Sequence, residues 1–206
     1  MPKRPLVGVL ALQGDFREHA TSLSEAGAEV IEIRHVENLE NIQGLIIPGG
    51  ESTAIARLLI AYNLTDPIRR HIEQGLPTWG TCAGAILLAK NAPDLDRPTI
   101  SAMNITVRRN AFGPQINSFE EDIYVSGISG LPIKAILIRA PIISDTGPEV
   151  SILGKLSDGS IVAVKENNLL ATSFHPELTN DPRMHGLFVD MARQYSYQVK
   201  NQRIAR

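Results

Sequence analysis

One cysteine among 206 residues cannot close an internal disulfide, so the chain carries no disulfide framework and suits a reducing compartment. A net charge of −2 supplies no basic footprint for nucleic acid or for an anionic membrane surface. No stretch approaches the roughly 18 consecutive apolar residues of a membrane-spanning helix. Histidine and cysteine never recur at metal-ligand spacing, so no metal is expected, and no cofactor is required. The glycine-rich stretch "PGGEST" lacks the lysine and the spacing of a phosphate-binding loop. Internal repeats, low-complexity segments and long linkers are also missing. The opening "MPKRPLVGVLALQGD" pairs basic residues with an apolar run, but the run is short and lacks a small-residue cleavage site. It reads as a first strand and not as a signal peptide. These absences point to a cytoplasmic protein with no nucleic-acid or membrane partner.

What is present is ordinary in bulk and particular in order. The apolar fraction of 43% and charged fraction of 20% are those of a globular protein, and the length fits one domain over residues 1–206. The basic tail from about residue 198 is expected to fray. "LVGVLAL" (residues 6–12) is a continuous apolar run, as in a strand covered on both faces. "DFREHATSLSEAG" has helical spacing and a glycine stop. "AEVIEIR" and "GLIIPGG" read as strands. "STAIARLLIAYNL" reads as a helix with Ser52 or Thr53 near its start, and "DPIRRHIEQG" as a helix capped by Asp66. "PTWGTC" is a strand and "AGAILLAKN" a helix. This alternation predicts an α/β fold, a three-layer, mostly parallel open sheet with helices on both faces, flavodoxin-like. Beyond residue 100 the pattern turns to strands between turn residues: "ITVRRN", "DIYVSGI", "KAILIRAP", "VSILGKL", "SIVAVKEN" and "LLATSFH". A hairpin is expected around Asn167-Asn168 and a final helix over residues 181–198.

The lone cysteine, Cys82, sits in "GTCAG" between a buried strand and an apolar helix. G-x-C-x-G in that setting is the pattern of a nucleophile elbow. Gly80 and Gly84 remove side chains that a turn this tight would force into collision, and the sulfur projects from a strained residue above the sheet edge. The helix N-terminus favours the thiolate, and the Ala83 amide can help hold an oxyanion. The plain alternative is a buried structural cysteine.

A thiol nucleophile needs a base. His175 follows an apolar strand in "LLATSFHPEL", at the strand end where open α/β sheets build their sites. Glu177, two positions on, faces the same way in an extended segment and can orient the imidazole, while Pro176 stiffens the pair. The order Cys82, His175, Glu177 follows triad logic. His19, His71 and His185 fall in helical patterns and are expected to be packed or solvated. His35 has no carboxylate at a useful spacing. In "IPGGEST", the glycines let backbone amides turn toward a ligand, and one near Gly50 can be a second oxyanion donor.

With these elements assembled, the chain resembles the class I, triad-type glutamine amidotransferases. Within that class it is similar to the glutaminase-subunit family of pyridoxal 5'-phosphate synthases. "LQGDFREH", "PGGEST", "GTCAG", "RRNAFGPQINSFE" (residues 108–120), "IRAP" and "SFHPEL" carry the resemblance, over almost the whole chain. It implies hydrolysis of L-glutamine by Cys82, His175 and Glu177, with ammonia passed to a synthase subunit in a hetero-oligomeric complex. By the resemblance, Gly50, Glu51, Ser52, Arg109, Ile138 and Arg139 contact glutamine. Docking of the synthase is expected to complete the oxyanion hole by turning the backbone near Gly49–Gly50, with Gln13 a candidate contact in that switch; the plain alternative for Gln13 is a polar residue at a strand end. An arginine is the natural fork for the substrate's α-carboxylate, and Arg109 and Arg139 both qualify. Alternatives are the glutaminase of another biosynthetic synthase, a cysteine hydrolase or glyoxalase-like enzyme on a similar sheet, and a non-catalytic regulatory subunit.

Overall fold

The computed structural model describes residues 4–109 and 118–204. Most of the expected motif "NAFGPQINSFE", at residues 110–117, lies outside them. The first half alternates as the apolar pattern demands: β1 (Leu6–Leu10), α1 (Phe16–Glu25), β2 (Glu29–Ile33), β3 (Gly44–Ile47), α2 (Ser52–Ala61), α3 (Thr65–Glu73), β4 (Thr78–Thr81) and α4 (Ala83–Leu88). The second half is strand-rich: β5 (Ala89–Asn91), β6 (Met103–Arg108), β7 (Ser118–Ile123), β8 (Ile133–Ile138), β9 (Ile142–Thr146), β10 (Ser151–Lys155), β11 (Ile161–Glu166) and β12 (Leu169–Thr172), closed by α5 (Arg183–Ile204).

A large sheet runs in the order β2-β1-β3-β4-β12-β11-β9-β6-β5, with β10 added alongside β11. From β2 to β12 every neighbour is parallel. β3, β4 and β12 are buried along their whole length, as parallel strands covered on both faces must be. Beyond β12 the pairings with β11, β9 and β6 turn antiparallel. The β11–β12 hairpin turns at Asn167, whose φ of 52° suits asparagine in a tight turn.

The two faces carry separate cores. Ile55 and Leu59 of α2, Ile68 of α3 and Leu87 of α4 fill one side. Leu23 of α1 and Phe188, Val189 and Ala192 of α5 fill the other, around Trp79. Helices therefore cover both faces, as the alternation predicted. A separate β7–β8 ribbon packs its apolar face (Ile123, Ile133, Ala135, Leu137) into the α1/α5 side.

Several local expectations are corrected. α2 starts at Ser52, as expected, but its cap is Glu51, whose carboxylate accepts from the amides of Thr53 and Ala54. Asp66 lies inside the first turn of α3 and pairs with Arg69, so it is not the cap. α4 ends at Leu88 and the chain passes directly into β5. β9, from "IISDT", is not among the expected strands, and α5 continues to Ile204, past the expected end at residue 198.

Candidate active site

Parallel strands send their C-terminal ends to one edge, and the candidate residues gather there. After β4 comes Cys82, with φ 47° and ψ −103°, a left-handed conformation that a side-chain-bearing residue adopts only under constraint. The constraint is visible. The Cys82 amide donates to Thr172 O at 2.8 Å, and its carbonyl already accepts from Ala85 and Ile86 in α4. A Cβ on Gly80 would run into the backbone of Gly84 and lie 2.8 Å from Ala85 N, while one on Gly84 would strike the Ile47 carbonyl of β3. The glycines are thus required by backbone on three sides. Cys82 is 7% exposed and lines an open cleft of about 470 Å³, a size suited to a small metabolite.

His175 reaches the same cleft from the other end of the chain. Its amide donates to Ile136 O at 2.9 Å, so the β7–β8 ribbon pins its backbone. Its Nδ1 lies 2.7 Å from Glu177 Oε1. The segment between them is a 3-10 turn, Pro176–Leu178, and not the extended stretch expected; Glu177 reaches the ring across a turn. Burial lowers the His175 pKa, but the Cys82 and Glu177 side chains beside it outweigh that and raise it to about 10. Burial pushes the Glu177 carboxyl up, opposed by His175.

The other predicted residues line the cleft as a group: Gln13, Gly50, Glu51, Ser52, Ala83, Arg109, Ile138 and Arg139. Gly50 has φ 147°, and a Cβ there would sit 2.6 Å from Gln13 Oε1. That same oxygen accepts from the Glu51 amide at 2.8 Å, so Gln13 holds the glycine loop. Ala83 is the first residue of α4, where amides have no intrahelical acceptor. Arg109 is engaged, with Nη2 3.4 Å from Glu51 Oε1 and Nη1 3.3 Å from Thr53 Oγ1. Burial acts to raise the Glu51 pKa, but the Thr53 and Ala54 amides, the Thr53 hydroxyl and Arg109 prevail and hold it below its usual range. Arg139 is exposed at the cleft with φ 44°; among the described residues its guanidinium has no hydrogen-bond or ion-pair partner.

Two features escape a reading of the sequence. Asp15, 3.4 Å from His175 Nδ1, is a second carboxylate on the imidazole. It lies just past β1, at the same sheet edge, and that position is the available signal. Asp15, His175 and Glu177 hold their potential ligand atoms within 4.8 Å of one another, but both carboxylates converge on one nitrogen, an arrangement that suits a shared proton. Second, His19 and His185 are packed, one of the two expected outcomes, and both are fully buried; the partners they meet are what the sequence does not show. His19 Nε2 lies 3.4 Å from Glu177 Oε2.

A model of the SNO glutamine amidotransferase family matches residues 9–194. A Dehalococcoides mccartyi protein named pyridoxal 5'-phosphate synthase subunit PdxT is 54% identical over 192 residues, covering 92% of this chain and 98% of that protein. A Roseiflexus protein of the same name is 51% identical over 187 residues, covering 90% and 99%. A solved glutamine amidotransferase superposes with a TM-score of 0.85 at 46% identity, over 90% of this chain and 98% of that one. The PurLQS structure from Thermotoga maritima shares the fold, with a TM-score of 0.64 at 16% identity over 95% and 99%.

Proposed function

The chain belongs to the SNO glutamine amidotransferase family, and from that membership we propose that it is the glutaminase subunit of a pyridoxal 5'-phosphate synthase. The observation that carries the chemistry is that Cys82 and His175, far apart in sequence, line one cleft together with the glycine loop.

The Cys82 sulfur, its proton taken by His175, attacks the side-chain amide carbon of L-glutamine. The amide oxygen becomes an oxyanion, held by the N–H groups of Ala83 and Gly50. His175, with Glu177 holding its Nδ1, gives a proton to the nitrogen. The C–N bond breaks and ammonia leaves, with a γ-glutamyl thioester on Cys82. Water, deprotonated by His175, attacks the thioester; glutamate departs and the thiol is restored. Arg139, at the cleft without a described protein partner, is the fork for the α-carboxylate, since Arg109 is already held by Glu51 and Thr53. Glu51 and Ser52 border the same end, and Ile138 packs beside the substrate's methylenes.

Ammonia released into water at neutral pH becomes protonated and loses its nucleophilicity, so the product must pass directly to a docked synthase subunit. Cytoplasmic residence fits that role, and no helix among the described residues is long and apolar enough to cross a membrane. Docking also supplies a switch. The Gly49 carbonyl now accepts from the Asp15 amide at 3.2 Å. Turning the Gly49–Gly50 peptide breaks that long bond and aims the Gly50 N–H into the cleft, with Gln13 re-seating the loop. Ammonia release from glutamine, measured with and without the synthase, tests this: release rises on docking, and equal rates in both samples refute the switch. Cys82→Ala abolishes glutamine-dependent synthesis and spares synthesis from added ammonia. Loss of neither, or of both, counts against the reading.

A further inference from the structure

We propose that His19 is a positioning residue for the glutaminase reaction: its Nε2–H faces the second oxygen of Glu177 and keeps that carboxylate ionised and aimed at His175, in a tautomer set by His185. The inference rests on the glutaminase function proposed for the cleft.

Glu177 is enclosed, and its two oxygens are unequal. Oε1 meets His175 Nδ1 at 2.7 Å; Oε2 is buried with no hydrogen bond among the described residues. A buried carboxylate oxygen without a donor disfavours the ionised form. The group placed to correct this is His19 of α1, whose Nε2 stands 3.4 Å from Oε2 and 2.9 Å from Thr81 Oγ1 of β4. An N–H there is bonded to Thr81 Oγ1 and stands 3.4 Å from Oε2, near enough to attract the carboxylate's charge without a hydrogen bond to it.

His185 of α5 decides whether that N–H exists. Its Nε2 lies 3.0 Å from His19 Nδ1, so one proton sits between the two rings. Its own Nδ1 is buried and unpartnered among the described residues. If His19 held the shared proton, His185 would carry an N–H on Nδ1 with no acceptor, and the bare Nε2 of His19 would face the carboxylate lone pairs. If His185 donates from Nε2, its Nδ1 is a bare acceptor and not an unpaired donor, and His19 carries its proton on Nε2, bonded to Thr81. The second arrangement avoids a buried N–H without an acceptor and sets an N–H, not a lone pair, beside the carboxylate. Burial favours the neutral form of both rings. Burial, then His185 and His175, lower the His19 pKa well below its usual value; burial brings His185 to about 4. The groups facing His19 are His185 from α5, Thr81 and the edge of Trp79 from β4, Glu177 and His175 after β12, and Asp15 at the head of its own helix, whose carbonyl accepts the His19 amide.

Without the His19 N–H, Glu177 holds a proton more readily, and the imidazole loses its ionised partner. His19→Leu, assayed with the synthase present, lowers kcat about tenfold or more, less than losing a triad member outright, and leaves KM for glutamine unchanged. The acid limb of the kcat/KM profile moves up by about one pH unit. His19→Gln, which can place an amide N–H near the same point, recovers most of kcat and returns the limb. A purely structural role lowers Tm without moving the limb. A His19→Leu enzyme with wild-type kcat and acid limb overturns the proposal. Independently of activity, 15N-histidine NMR of the wild-type protein finds both His19 and His185 neutral and protonated on Nε2. A His19 protonated on Nδ1 overturns it too, even where His19→Leu does not fold. Failure of the wild-type enzyme to hydrolyse glutamine would instead refute the underlying functional reading.

Discussion

Replacing Gly84 by alanine tests how the elbow is built. The added Cβ would be driven into the Ile47 carbonyl and would stand 3.2 Å from the Ile47 side chain. Backbone cannot swing aside as a flexible side chain can, so the end of β3 or the start of α4 must shift. Overpacking of a tight site costs about 1–3 kcal/mol, and rigid backbone contact puts this case near 3. For a chain of this size each kcal/mol moves Tm by about 2–4 °C, which gives a fall of about 6–12 °C. Activity suffers more, because Ile47 leads directly into the glycine loop and Ala83 carries the amide proposed to hold the oxyanion. A displacement of about 1 Å at the reacting groups is worth about a hundredfold in rate. The control is Gly186→Ala in α5, where an added Cβ meets nothing within 4 Å. Helix propensity predicts a gain of about 1 kcal/mol there. Differential scanning calorimetry and ammonia release with the synthase present read both variants. A Gly84→Ala protein within about 2 °C of wild type and of comparable kcat/KM would refute the backbone-collision argument.

Arg139→Ala raises KM for glutamine about tenfold or more through the lost charge-assisted bonds, with kcat retained; Arg109→Ala giving the larger KM effect would reverse the assignment of the carboxylate fork. The His175 imidazole is held against burial by Cys82 and Glu177, which raises its pKa from an ordinary 6.5 to about 10. Its stabilisation is therefore complete below about 6.5 and lost as pH rises toward 10. The Tm gap between wild type and His175→Asn is largest in the acidic half of that window and closes toward pH 10; a gap that widens with pH contradicts the assignment.

Much of the fold is legible in the sequence because parallel strands buried on both faces are mainly apolar, and "LVGVL" and "GLII" are wholly so. The elbow is legible because its glycines answer to backbone collisions that follow from the turn itself. The misreadings have a common cause. Glu51, not singled out as a cap in the sequence, caps α2 because its side chain folds back onto two amides, a choice that depends on the path of the preceding loop. "HPE" looks extended because the ribbon that pins the His175 backbone at Ile136 is distant in sequence.

The alternation of strands and helices in the first half and the choice of Cys82 and His175 as candidates follow from residue types and spacing, since these obey short-range sterics and periodicity; the family rests on the resemblance of whole motifs. Only the tertiary structure decided what stands behind the cleft. His19, Thr81, Glu177 and His185 lie on four separate segments, and nothing in their spacing announces that they meet. Their contacts arise from α1 and α5 packing on the same face of the sheet, and burial there turns otherwise ordinary helical histidines into hydrogen-bonding groups with fixed partners.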